Sequence, residues 1–108
     1  MALLPCPYLG VQVELTDERE RHIGSRHPDL LPAHRGRIME TVGQPDQVRR
    51  SVQAGNARLF SKWFADVRGG KYVVVVVVGD PGRETHPWII TAYLARKLAE
   101  GEVEWQKS

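Results

Sequence analysis

The chain has 108 residues, one domain's worth, and its 42% hydrophobic and 26% charged residues exclude a disordered composition. A single cysteine, Cys6, excludes an intrachain disulfide and suits a reducing cytoplasm. The net charge of +2 hides an asymmetry: Gln47 to Lys71 holds six bases and one acid, and Arg19 to Arg37 holds five arginines, three histidines and two acids, a spread that suits an anionic partner such as nucleic acid.

The opening MALLPCPYLG is broken by two prolines and has no basic leader, so it reads as an irregular lead-in and not as a signal peptide. Residues 11-VQVEL-15 alternate like a short edge strand. Residues 16-TDERERHIGSRH-27 start as a helix should, with Thr16 or Asp17 as cap and Asp17, Glu18 and Glu20 in the first turn. Pro28 stops that helix at about Arg26. A second helix is expected from about Pro32 to Val42, with Ile38, Met39 and Val42 as its apolar stripe and Gly43 as its stop.

The period then changes to two. Strands are expected over 46–52, 57–67 and 71–80, with turns at Ala54-Gly55-Asn56 and Gly69-Gly70. The six valines Val73 to Val78 are apolar on both faces and belong in the centre of a sheet. They fall far short of the roughly twenty apolar residues that span a bilayer. The loop 80-DPGRETHP-87 leads to a last strand from Trp88 to about Arg96, followed by a polar tail with a short helical turn. Helices followed by a short-looped meander predict an α+β domain, with N-terminal helices packed on a four-stranded antiparallel sheet.

Alternation assigns faces. Thr91 and Tyr93 share one face of the last strand, opposite Ile90, Ala92 and Leu94. In the strand over 57–67, Phe60, Lys62 and Phe64 share a face. The expected open face carries Thr91, Tyr93 and Lys62, where hydroxyls and a cation serve a phosphate and an aromatic serves a base. His22 and Arg26 are one helical turn apart, and His27 follows. His22 and His27 are separated by about 500° of helix rotation, which is not one face. With neither HExxH nor CxxC in the chain, the histidines point to acid–base chemistry more than to a metal. Gly69-Gly70 and Gly79-Asp80-Pro81-Gly82 are turns and not phosphate-binding loops.

In order, LTDERERHIGSRHPDL, the Gly43-Gln44-Pro45-Asp46 turn, the valine strand and WIITAY resemble the phage- and prophage-associated nucleases of the barnase–EndoU–colicin–RelE superfamily. The likeness covers about residues 13–96, and its specificity lies in the order of short motifs. It implies a metal-independent endoribonuclease with no cofactor. In that chemistry the ribose 2′-OH attacks its own phosphate, so RNA is the substrate. Carried onto this chain, it makes His22 and His27 the acid–base pair. Arg26 and Lys62 then stabilise the phosphate, and Thr91 and Tyr93 position it. Arg58 and Lys71, from the basic stretch, join Lys62 as substrate contacts. A toxin-like member would need an antitoxin or immunity protein, and the valine run would also serve a homodimer. The competing expectation is a module that kept the fold, lost the chemistry, and binds RNA or protein without cleaving it.

Overall fold

The computed structural model describes residues 1–52, 56–79, 86–98 and 101–108. Nine elements follow in chain order: β1 (Ala2–Cys6), β2 (Val11–Leu15), α1 (Asp17–Arg26), α2 (Arg35–Gly43), β3 (Gln47–Ser51), β4 (Ala57–Phe64), β5 (Lys71–Val78), β6 (Trp88–Ala95) and β7 (Gly101–Gln106). The strands form one seven-stranded sheet in the order β1-β2-β6-β5-β4-β3-β7. All neighbours are antiparallel except β2 and β6, which run parallel where Glu14 meets Trp88.

The expected four-stranded antiparallel sheet behind N-terminal helices is therefore wrong. The sheet is mixed, it has seven strands, and a hairpin precedes the helices. Two segments account for the miss. Residues 1–10 were expected to be irregular because of their prolines. Yet Pro5 sits on an edge strand opposite Gln12, where a missing N–H costs the ladder little. Leu4 and Cys6 alternate inward from that strand and are buried. The polar tail, expected to be a loop or helical turn, is β7 paired to β3. A bulge at Glu104 places Val103 opposite Arg49 and Trp105 opposite Val48, so the tail's strand periodicity is broken in the sequence itself.

Thr16 caps α1 by accepting from Arg19 N at 3.1 Å, and His27 closes it with its own N–H on Ile23 O. α2 starts at Arg35, three residues later than the expected Pro32, after a Leu31-Pro32 cis bond. The turn residues Ala54 and Gly55, and most of the loop at 80–85, lie outside the described residues.

The core forms between the helices and one face of the sheet. Ile23 of α1, Ile38 and Val42 of α2, and Leu30 and Leu31 between them pack on Val13, Leu15, Val48, Phe60, Val73, Val75, Val77 and Ile89. The valine strand β5 is the central strand, fourth from either edge, with Val73, Val75 and Val77 on the helix side. β-branched side chains are stiff and suit a pleated surface packed on both sides. No helix among the described residues is long and apolar enough to cross a membrane.

Candidate active site

Among the described residues β2 pairs with β6 only through Glu14 and Trp88, at the start of β6, and α1 packs along the rest of that strand. Arg19, in the first turns of α1, donates from Nη1 to Ile90 O at 3.4 Å. At the other end of the helix the His27 ring lies 6.1 Å from the Tyr93 ring, tilted by 39°. These two contacts align α1 alongside β6 in the same direction. Arg19, His22 and Arg26 follow one another at i, i+3 and i+7, so they share the stripe that Arg19 turns toward β6.

A bulge at Ile90 sets what β6 presents. Thr91 pairs with Val76 but Ile89 pairs with Val77, which leaves Ile90 as the extra residue. Ile89 thereby joins Ala92 and Leu94 on the core side and is fully buried, while Ile90 is exposed. Sequence alternation put Ile89 with Thr91 and Ile90 with Ala92, and the bulge reverses both. Thr91 and Tyr93 keep the face away from the core, both half-buried. Bulges recur beside active sites because they re-aim side chains.

His27 is held by its backbone. Its N–H donates to Ile23 O at 2.7 Å, and its carbonyl accepts from Leu30 N at 3.0 Å and Leu31 N at 3.2 Å. Leu30 and Leu31 are themselves buried, so the turn after α1 is anchored in the core. Burial pushes the Tyr93 hydroxyl above the ordinary tyrosine value, which keeps it protonated and able to donate at neutral pH. Among the described residues, His22, Arg26, Thr91 and Tyr93 spend no side chain on a hydrogen bond or ion pair.

The structure thus brings His27 and Tyr93 together, with Thr91 two residues from Tyr93 on the same strand face, and leaves Arg26 and His22 exposed on α1. It separates the three substrate contacts from them. Lys62 pairs with Val73, which pairs with Leu94, so it faces the core side and not the face of Tyr93. Its Nζ donates to Gln44 O at 2.9 Å and lies 3.6 Å from the Asp46 carboxylate. Arg58 lies on β4, two strands from β6, and turns the other way to donate to Glu104 of β7 at 2.8 Å. Lys71 folds onto the β4–β5 turn, donating to Arg68 O and Gly70 O.

Arg19 was missed by sequence reading. Its signal was its spacing to His22 and Arg26, obscured by its place in an acidic first turn. A hollow of about 570 Å³ lies elsewhere, between Tyr8, Pro45, Lys62 and Trp105, and another of about 450 Å³ lies beside Asp17, Gly24 and Leu31. Neither contains the His27–Tyr93 pair. Among the described residues no three His, Cys, Asp or Glu side chains gather at metal-binding distance. Compared with protein-family models, curated proteins and solved structures, the chain matches none.

Proposed function

We propose that the chain is an endoribonuclease of metal-independent chemistry, acting at the edge between α1 and β6. The observation that carries this reading is the His27–Tyr93 ring contact at 6.1 Å, on a margin where Arg19 and Arg26 share the helix. Cleavage needs a base for the 2′-OH, an acid for the leaving 5′-oxygen, and cations for the phosphorane. His22 and His27 supply the acid–base pair. Arg26 and Arg19 neutralise the phosphorane, and Tyr93 and Thr91 donate to its oxygens. The O2′–P bond forms as the P–O5′ bond breaks, leaving a 2′,3′-cyclic phosphate and a 5′-hydroxyl. The likeness of LTDERERHIGSRHPDL and WIITAY to the barnase–EndoU–colicin–RelE superfamily supports the same reading. So does their meeting in space at this edge.

The test is digestion of mixed tRNA and messenger RNA in EDTA by wild type, His27→Ala, His22→Ala and Tyr93→Phe, with each fold checked by circular dichroism. Wild-type cleavage to cyclic-phosphate ends, lost in folded His27→Ala, is the expected result. Equal cleavage by all four proteins overturns the reading. No cleavage by any of them leaves the non-catalytic binding module in its place.

A further inference from the structure

The face of the sheet away from the helices carries a diagonal of aromatic rings that begins at the candidate site. Tyr93 on β6 pairs with Val74, and Tyr72 is two residues along β5 on the same face. Tyr72 pairs in turn with Trp63 of β4, and their rings meet edge to face at 5.0 Å and 70°. Direct and diagonal cross-strand spacings put the Trp63–Tyr72 pair roughly 12 Å from Tyr93, within a few nucleotides of a single strand.

The pair lines a concavity of about 280 Å³, with Leu98, Ser61, Gln47 and Gln106 around it. Trp63 remains 44% exposed. Its orientation is fixed by Gly70, at φ +106°, where an added Cβ would stand 2.6 Å from Trp63 Cζ2. The indole therefore rests on the turn backbone, and only glycine allows it. The Gln47 and Gln106 side-chain amides lie 3.4 Å apart at the rim and offer both donors and acceptors. The lining charge is mixed: Asp46 and Lys107 both border the hollow, and the Asp46 carboxylate is engaged by Trp63 N at 2.8 Å and by Lys62 at 3.6 Å. Rings for stacking and amides for base edges are what a single-stranded nucleic acid uses, whereas a duplex hides its base faces.

We infer that the Trp63–Tyr72 concavity is a nucleobase subsite that holds a base of single-stranded RNA within a few nucleotides of the scissile phosphate. The inference rests on the ribonuclease reading for its substrate, but its test does not depend on cleavage. Short fluorescein-labelled 2′-deoxy oligonucleotides lack the attacking hydroxyl, so they report binding alone. Fluorescence anisotropy at low salt would compare wild type, Trp63→Ala, Trp63→Phe and Tyr72→Ala with single strands and with the matching duplex. Trp63→Ala is expected to weaken single-strand binding by about tenfold, Trp63→Phe to keep most of it, and duplex binding to stay weak and unchanged. Single-strand binding that Trp63→Ala and Tyr72→Ala leave within about twofold of wild type overturns the inference, whatever the cleavage result. Undetectable binding by wild type also overturns it and leaves the face to a protein partner. If binding depends on Trp63 but wild type cleaves no RNA, the subsite stands and the ribonuclease reading fails.

Discussion

At the β3–β7 margin the polar side chains are spent on one another, whereas at the α1–β6 margin they are placed and left unspent. Glu104 accepts from Tyr8 Oη at 2.7 Å, from Arg50 Nε at 2.8 Å and from Arg58 Nε at 2.8 Å. Tyr8 also packs on Phe60 and Trp105, so the network ties the β1–β2 turn to the last strand. On the opposite side His27 is fixed by backbone bonds and a ring contact, and Tyr93 by packing on its strand. The second arrangement keeps donors and acceptors available, as a site needs. The first converts the same residue types into stability. Basic side chains are therefore a poor guide to function until their partners are known: Arg58 and Lys62 have carboxylates beside them, and Arg26 has none among the described residues.

The contrast breaks most sharply in paired variants. His27→Ala is expected to lower RNA cleavage by about 10²–10⁴-fold while costing only about 1 kcal/mol of stability, the lost ring contact. Glu104→Ala is expected to do the reverse. It leaves Arg58, whose side chain is 11% exposed, without its carboxylate. The cost should be about 2–3 kcal/mol, or roughly 10 °C in melting temperature, with kcat nearly unchanged. Urea titration beside a cleavage assay separates the two. If Glu104→Ala abolished cleavage in a folded protein, the division between the margins would be wrong.

Much of this division could not be read from the chain. The cap at Thr16, the stop at Pro28 and the valine strand are local signals, and local sequence carried them. His27 and Tyr93 were legible as candidates because each sits in a short distinctive motif. Their contact was not, because it depends on β2 leaving β6 after Trp88 and on α1 taking the vacated edge. The bulges at Ile90 and Glu104 each shift a strand by one residue, and alternation cannot detect the extra residue. β1 and β7 are edge strands, stabilised by partners distant in sequence and carrying the prolines and charges that edges use. Lys62 fell on the wrong face for a simpler reason. Alternation placed Lys62 with Phe60 and Phe64, and Thr91 with Tyr93, but which of these faces coincide is set by pairing, and Lys62 pairs with Val73, which pairs with Leu94.

The pH limits of stability sharpen the same comparison with a smaller effect. Burial works to raise the Glu104 carboxyl, but hydrogen bonds from Tyr8 and Arg58 and the charges of Arg58 and Arg50 outweigh it and bring it below 4.5. A depressed carboxyl stabilises above its unfolded value and loses that contribution as pH falls through the folded one. Glu104→Gln should therefore flatten the acid limb of the stability curve below about pH 4.5. Tyr8 is shifted from 10.0 up to about 12, first by burial and then by its bond to Glu104. A raised tyrosine stabilises below its unfolded value, so the contribution is intact below pH 10 and is lost on the way to 12. Burial raises the Cys6 thiol from 9.0 and adds a loss of the same sign. The Tyr8 share is thus the difference between wild type and Tyr8→Phe, measured by denaturation from pH 9 to 12. An unchanged alkaline limb in Tyr8→Phe would show that its hydroxyl contributes little to the clasp.

The smallest expected effect tests whether the α1 margin is held as lightly as its contacts imply. α1 buries one side chain, Ile23, where α2 buries Ile38, Thr41 and Val42. Its start depends on the Thr16 hydroxyl, which accepts from Arg19 N. Removing that cap in Thr16→Ala should cost about 1 kcal/mol, and Thr16→Ser should restore most of it. Because so little buried surface ties α1 down, the loss should appear as local opening. Amide exchange should quicken from Arg19 through Arg26 while β5 and β7 keep their protection. Cleavage should fall modestly and far less than in His27→Ala, since His27 is also anchored from the far side by Leu30 and Leu31. Exchange that quickened equally in β7 would mean that α1 and the Glu104 clasp open together, and the two margins would then be one cooperative unit.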